Sequence, residues 1–141
     1  MNKYFRLTFI FIGVWFVASF INGILSSLLL RVFAKAEVEE MELCILFSFI
    51  FSIPFIGLAW FIGIIACVNK TNGERLYEII LMTSFFIGFW GALFFAILLG
   101  FRFEIHSVLI SLSIIVSAVS SILIFRKQIK SINNEDITTM D

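Results

Sequence analysis

The densest group of chemistry-bearing side chains in this 141-residue chain is Glu37, Glu39, Glu40 and Glu42, with Glu104 and the only histidine, His106, farther on. Carboxylates and an imidazole brought together can hold a divalent cation or a basic segment of a partner. Either use requires the stretch around residue 40 to meet the stretch around residue 105. A run of charge at the edge of an apolar segment is more simply a hydrated loop. Docking of a partner comes next and a metal last, so the six residues are read as a partner-binding loop region and no metal site is assigned.

Other reactive groups are thin. Cys44 and Cys67 lie near opposite ends of one apolar run. As a helix that run separates them by ~34 Å, too far for a disulfide, and both read as small packing residues. A single histidine rules out the paired-histidine motif of metalloproteases. It also rules out haem held by two histidines of one chain. No aspartate pair lies within an apolar run, and no Cys-x-x-Cys occurs. The chain reads as non-catalytic and without a cofactor. A net charge of zero gives no support to nucleic-acid binding.

The polar groups within the apolar runs are uncharged. Asn22 shares a helical face with Ser19, Gly23 and Ser26. An amide in hydrocarbon must find a partner, so a hydrogen bond between helices is expected there. The alternative is an amide lining a pore or a substrate site. Trp15, Trp60 and Trp90 lie well inside their runs rather than at the usual interfacial belt. Their indole N–H groups need acceptors: Ser, Asn, or the carbonyl freed by Pro54. Simple packing is the first reading, and an aromatic-lined cavity for an apolar or cationic ligand is the second.

The elements that must position these groups are plain in the composition. Hydrophobic residues make up 61% of the chain and charged residues 14%, and the mean hydropathy is +1.09. A soluble domain is roughly 45–50% apolar. The uncharged runs are Leu7–Leu30, Leu43–Asn69, Ile79–Phe101 and Ile105–Phe125, of 24, 27, 23 and 21 residues. Each meets the ~20 residues that a helix needs to cross a ~30 Å hydrocarbon core. Barrel strands would instead read as alternating segments of ~10 residues. The expected fold is an all-α membrane protein, an antiparallel four-helix transmembrane bundle. It forms one domain over 1–141, with helices at about 7–30, 43–69, 77–101 and 105–126. The first run is too long for the apolar region of a signal peptide, roughly 7–15 residues, and is taken as a retained helix. Residues 31–42 are expected to be the longest loop, Asn72-Gly73 a turn, and 127–141 a short polar tail. Pro54 is expected to kink the second helix.

Small residues mark where helices approach. Gly88, Ala92, Ala96 and Gly100 recur every four residues, flanked by Phe85, Phe86, Phe89, Trp90, Phe94 and Phe95. Such a stripe allows close packing where lipid offers no hydrophobic drive. The third run is therefore expected to be the helix on which the others pack. Ser19, Gly23 and Ser27 repeat the spacing on the first run.

Lys and Arg lie unevenly. Lys3, Arg6, Lys70, Arg75, Arg126, Lys127 and Lys130 fall on one side, Arg31, Lys35 and Arg102 on the other. This bias predicts cytoplasmic termini. Heavy use of Ile, Phe, Asn and Lys suggests a bacterial cytoplasmic membrane. The expected role is that of an accessory, assembly or immunity-like subunit. Such a subunit works in the lipid bilayer by binding another membrane protein or a second copy of itself. The alternative is a small homo-oligomeric channel or transporter.

Overall fold

The computed structural model describes residues 2–34, 38–69, 71–98 and 105–132. Regular structure among them is entirely helical: α1 (Lys3–Ala34), α2 (Val38–Val68), α3 (Gly73–Leu98), α4 (Ile105–Ile124) and a short α5 (Arg126–Lys130). Three stretches, Lys3–Phe33, Ile45–Val68 and Gly73–Phe94, are long and apolar enough to cross a membrane. Val108–Ile124 in α4 is a shorter apolar helix.

The helices overrun the uncharged runs that announce them. The stretch 31–42, expected as a loop, is mostly helix: α1 continues to Ala34 and α2 begins at Val38. Charge marks where hydrocarbon ends, but a helix needs only its own backbone hydrogen bonds, and Ala, Arg, Glu and Met are good helix formers. The third helix likewise starts at Gly73 rather than near residue 77. Asn72 supplies the reason, since its Oδ1 accepts the backbone N–H of Arg75 at 2.8 Å and caps the first turn. Helix α2 runs through Pro54 without a break in its assignment. Part of the expected tail is the helix α5, and residues 133–141 lie outside the described residues.

α1 lies against both α2 and α4, while α3 packs on α4 and, much less extensively, on α2. No helix holds the central place expected for α3: among the described residues each of the four long helices has two long neighbours, and α3 does not meet α1. A stripe of small residues tells how near a neighbour can come, not how many neighbours a helix has. Along the α1–α2 contact, Thr8, Trp15 and Asn22 meet Trp60, Ser52 and Ser48, so the two helices are followed in opposite order. Gly23 makes the closest approach. A Cβ there would stand 2.9 Å from the Cα of Ile45, so only hydrogen fits.

The apolar core fills the end of the structure at which α1 begins, here called the proximal end. Leu7, Phe11 and Val14 of α1 pack there with Ala66 and Cys67 of α2, Leu76 and Ile80 of α3, Ile122 of α4 and Ile129 of α5. Charged groups rim the same end. Lys130 pairs with Glu74. Arg6 Nη2 donates to Ser131 Oγ at 2.9 Å. The cations of Arg126 and Lys130 sit 5.5 and 5.2 Å from the Tyr77 ring centroid. These contacts fold α5 back onto α3 and close the proximal end.

Candidate membrane-embedded cavity

Away from the proximal core the helices are joined by polar side chains instead of apolar ones. Asn22 Nδ2 donates to Ser48 Oγ of α2 at 2.8 Å. Ser113 Oγ of α4 donates to Asn22 Oδ1 at 2.5 Å, with the Asn22 main-chain carbonyl a second acceptor at 3.0 Å. One amide thus links three helices. A turn away, Ser52 Oγ donates to the carbonyl of Phe49 at 3.1 Å. It accepts from Trp15 Nε1 at 2.9 Å and lies 2.8 Å from Ser19 Oγ. With its one proton used on Phe49, Ser52 accepts from Ser19 as well. Trp60 Nε1 donates to Thr8 Oγ1 at 3.1 Å, whose own proton goes to the Tyr4 carbonyl at 2.9 Å.

Trp15, Ser19, Asn22, Ser48 and Ser52 of this network line one wall of a cavity of about 420 Å³ to which α1, α2, α3 and α4 all contribute. A cavity of 300–1,000 Å³ is the usual size for a small-molecule site. Its apolar surface comes from Phe47, Phe51 and Phe55 of α2, Ile87 and Phe94 of α3, and Ile110 and Ile114 of α4. Its polar lining comes from Asn22 and from serines on every helix. Phe47, Phe51 and Phe94 are also exposed on the outside, so the rim is open toward the lipid phase. Phe55 and Ile87 line this cavity and also a shallower groove outside it, between α2 and α3. They form the partition between the two spaces.

The serines differ in how their protons are used. A buried helical serine usually turns its hydroxyl back onto a carbonyl one turn earlier. Ser26 donates to the Asn22 carbonyl at 2.6 Å, Ser117 to Ile114 at 3.0 Å and Ser121 to Ala118 at 2.9 Å. Ser84 does not. It is 6% exposed, lines the cavity, and makes no hydrogen bond among the described residues. Sequence reasoning passed over it, although it stands four residues before Gly88 and extends the same stripe by one turn. Ser48 was passed over as well; its place one turn before Ser52 is the signal that marks it.

The other residues singled out by the sequence fall as follows. Ser19, Asn22 and Gly23 lie at the α1–α2 contact. Gly88 faces α4, where a Cβ would meet the Ala118 Cβ at 3.3 Å and the Ile115 Cα at 3.4 Å. Ala92 is buried, and its carbonyl lies 3.4 Å from Ser111 Oγ. Ala96 belongs to α3, and Gly100 lies outside the described residues. Glu37 and Glu104 also lie outside them. Glu39 and Glu40 belong to the first turn of α2 and His106 to that of α4, with side chains outside the described set. Glu42 is exposed on α2. Among the described residues no three His, Cys, Asp or Glu side chains gather as metal ligands. Comparison with protein-family models, with curated proteins and with solved structures finds no match.

Proposed function

We propose that the chain is a non-catalytic subunit of a membrane assembly that acts by binding another membrane protein. In this reading it is an antiparallel four-helix transmembrane bundle of the bacterial cytoplasmic membrane, with both termini cytoplasmic and α4 as the fourth span. The observation that carries the proposal is the seam between α2 and α3. Of the contacts between neighbouring long helices theirs is the slightest, and a groove of about 620 Å³ runs between them. Leu58, Ile62, Met82, Phe86 and Trp90 line it, with Arg75 and Glu78 at one end. An apolar trough with a charged end fits a partner helix whose own juxtamembrane charges meet that pair. The uncharged polar groups of the spans support the same reading, since Ser19, Asn22, Ser48, Ser52 and Ser113 serve helix–helix hydrogen bonds.

The channel reading has less support. The proximal half is packed with Leu7, Phe11, Val14, Ile80 and Ile122, so a polar path through one copy is interrupted. Any conducting path would have to run between copies.

Photo-crosslinking tests the proposal. A photoreactive residue at Leu58 or Phe86 in the groove should give one discrete crosslinked membrane protein, and the same residue at Phe9 or Phe16 should not. Crosslinks to a second copy of this chain would turn the reading toward the homo-oligomer. Crosslinks to lipid alone at all four positions would remove it.

A further inference from the structure

We infer that the central cavity is a binding site for an uncharged, apolar molecule carrying a carbonyl oxygen, taken up from the lipid phase. This inference is independent of any partner in the α2–α3 groove.

Ser84 is the observation that points to a ligand. Its hydroxyl is nine-tenths buried, lines the cavity, and has no partner among the described residues. A buried hydroxyl without a hydrogen bond is costly, and helical geometry offers Ser84 the carbonyl one turn back. The Ser84 hydroxyl makes neither that bond nor any other among the described residues. Two further donors stand on the wall formed by α1 and α2. Ser48 accepts from Asn22, and its own proton meets no acceptor among the described residues. Asn22 Nδ2 carries a second N–H beyond the one given to Ser48. The cavity therefore offers spare donors from three helices.

The remaining chemistry narrows the class. No Asp, Glu, Lys or Arg lines the cavity, so a charged ligand would be buried without a counter-ion, at high cost. Phenylalanine and isoleucine supply most of the wall, which requires an apolar body. Spare donors require an acceptor, and a carbonyl oxygen, with two lone pairs, is a strong uncharged acceptor compatible with such a body. The rim at Phe47, Phe51 and Phe94 opens sideways toward lipid. Two sources share this chemistry: the ester carbonyl of a neutral lipid, and a ring ketone or quinone dissolved in the bilayer.

Trp15 lines the cavity and Trp90 does not, which supplies an internal reporter and its control. The full chain in diether-lipid nanodiscs, which lack ester carbonyls, would be made with Trp15 as its only tryptophan and with Trp15 and Trp90 together, so that both forms keep Trp15 in the cavity and the Trp90 signal is their difference. Both forms would be titrated with menadione. A second arm would add diacylglycerol to the same nanodiscs and read retained lipid by native mass spectrometry. Saturable quenching of Trp15, with only linear quenching of Trp90, identifies the ring-carbonyl source. Stoichiometric retention of diacylglycerol identifies the ester source. In the arm that binds, Ser84→Ala should weaken binding by ~2- to 10-fold, the scale of one hydrogen bond, and Ser84→Thr should restore it. Unchanged melting of both variants shows that the fold is intact. Linear quenching of both tryptophans with no retained lipid overturns the proposal, as does binding that is indifferent to Ser84→Ala.

Discussion

Ser113 Oγ on α4 donates to Asn22 Oδ1 on α1 at 2.5 Å, while the same amide donates to Ser48 on α2 at 2.8 Å. A single side chain therefore holds three helices in register. Asn22→Leu removes both side-chain bonds, leaving Ser113 only the main-chain carbonyl of position 22 and Ser48 without its donor. The expected result is a loss of ~0.6–2 kcal/mol for each membrane hydrogen bond, read as a lower melting temperature in detergent. Stability equal to that of the parent chain would mean that the amide is not a structural link.

Gly23 and Gly57 give a matched contrast. A Cβ at Gly23 would stand 2.9 Å from the Ile45 backbone, whereas one at Gly57 meets nothing within 4 Å. Backbone atoms cannot rotate out of the way, so Gly23→Ala must push α1 and α2 apart. Gly57→Ala should be neutral or stabilising, by up to about 1 kcal/mol from helix propensity. Thermal unfolding of the two variants side by side checks this. Equal effects would contradict the close approach of α1 and α2.

At the α3–α4 contact, Ala92 is buried and Phe89 is exposed. Ala92→Leu should disrupt the contact and lower expression and melting temperature, while Phe89→Leu should do little. Cysteines placed at the two positions extend the test. A lipid-soluble maleimide should label Cys at position 89 readily and at position 92 slowly. Ready labelling at 92, with leucine tolerated there, would turn that face toward lipid.

The orientation follows from charge. Lys3, Arg6, Arg75, Arg126, Lys127 and Lys130 lie toward the proximal end. The rule that Lys and Arg stay inside predicts that this end faces the cytoplasm. Reporter fusions after residue 141 and within 35–37 should give cytoplasmic and external signals respectively. The reverse pattern would invert the assignment.

Much of the architecture is legible from hydropathy. Charge interrupts the apolar runs where hydrocarbon must end, so the membrane helices stand out from composition alone. Their ends do not, because helical hydrogen bonding carries on into the headgroup region; α1 reaches Ala34 and α2 starts at Val38 for that reason. The need of Asn22 for a partner in lipid is equally plain from its residue type. Its partners, Ser48 and Ser113, lie on two other helices and are fixed by packing.

The sequence by itself determined that this is a helical membrane protein, because apolar runs of this length and the cost of unpaired backbone groups in lipid leave no other form for them. It also determined which residues are small enough to permit close approach, since Gly23 and Gly88 carry no side chain to hold helices apart. The tertiary structure alone decided which helices are neighbours, and that none of the four long ones is central. Spacing defines a face, but a face at α3 and a face at α1 look alike until a neighbour is placed on them. It alone also decided that Ser84 stands beside a cavity without a partner among the described residues, while Ser117 and Ser121 are satisfied. All three are serines within helices with carbonyls of their own helix in reach, and residue type does not say which hydroxyl turns back onto one.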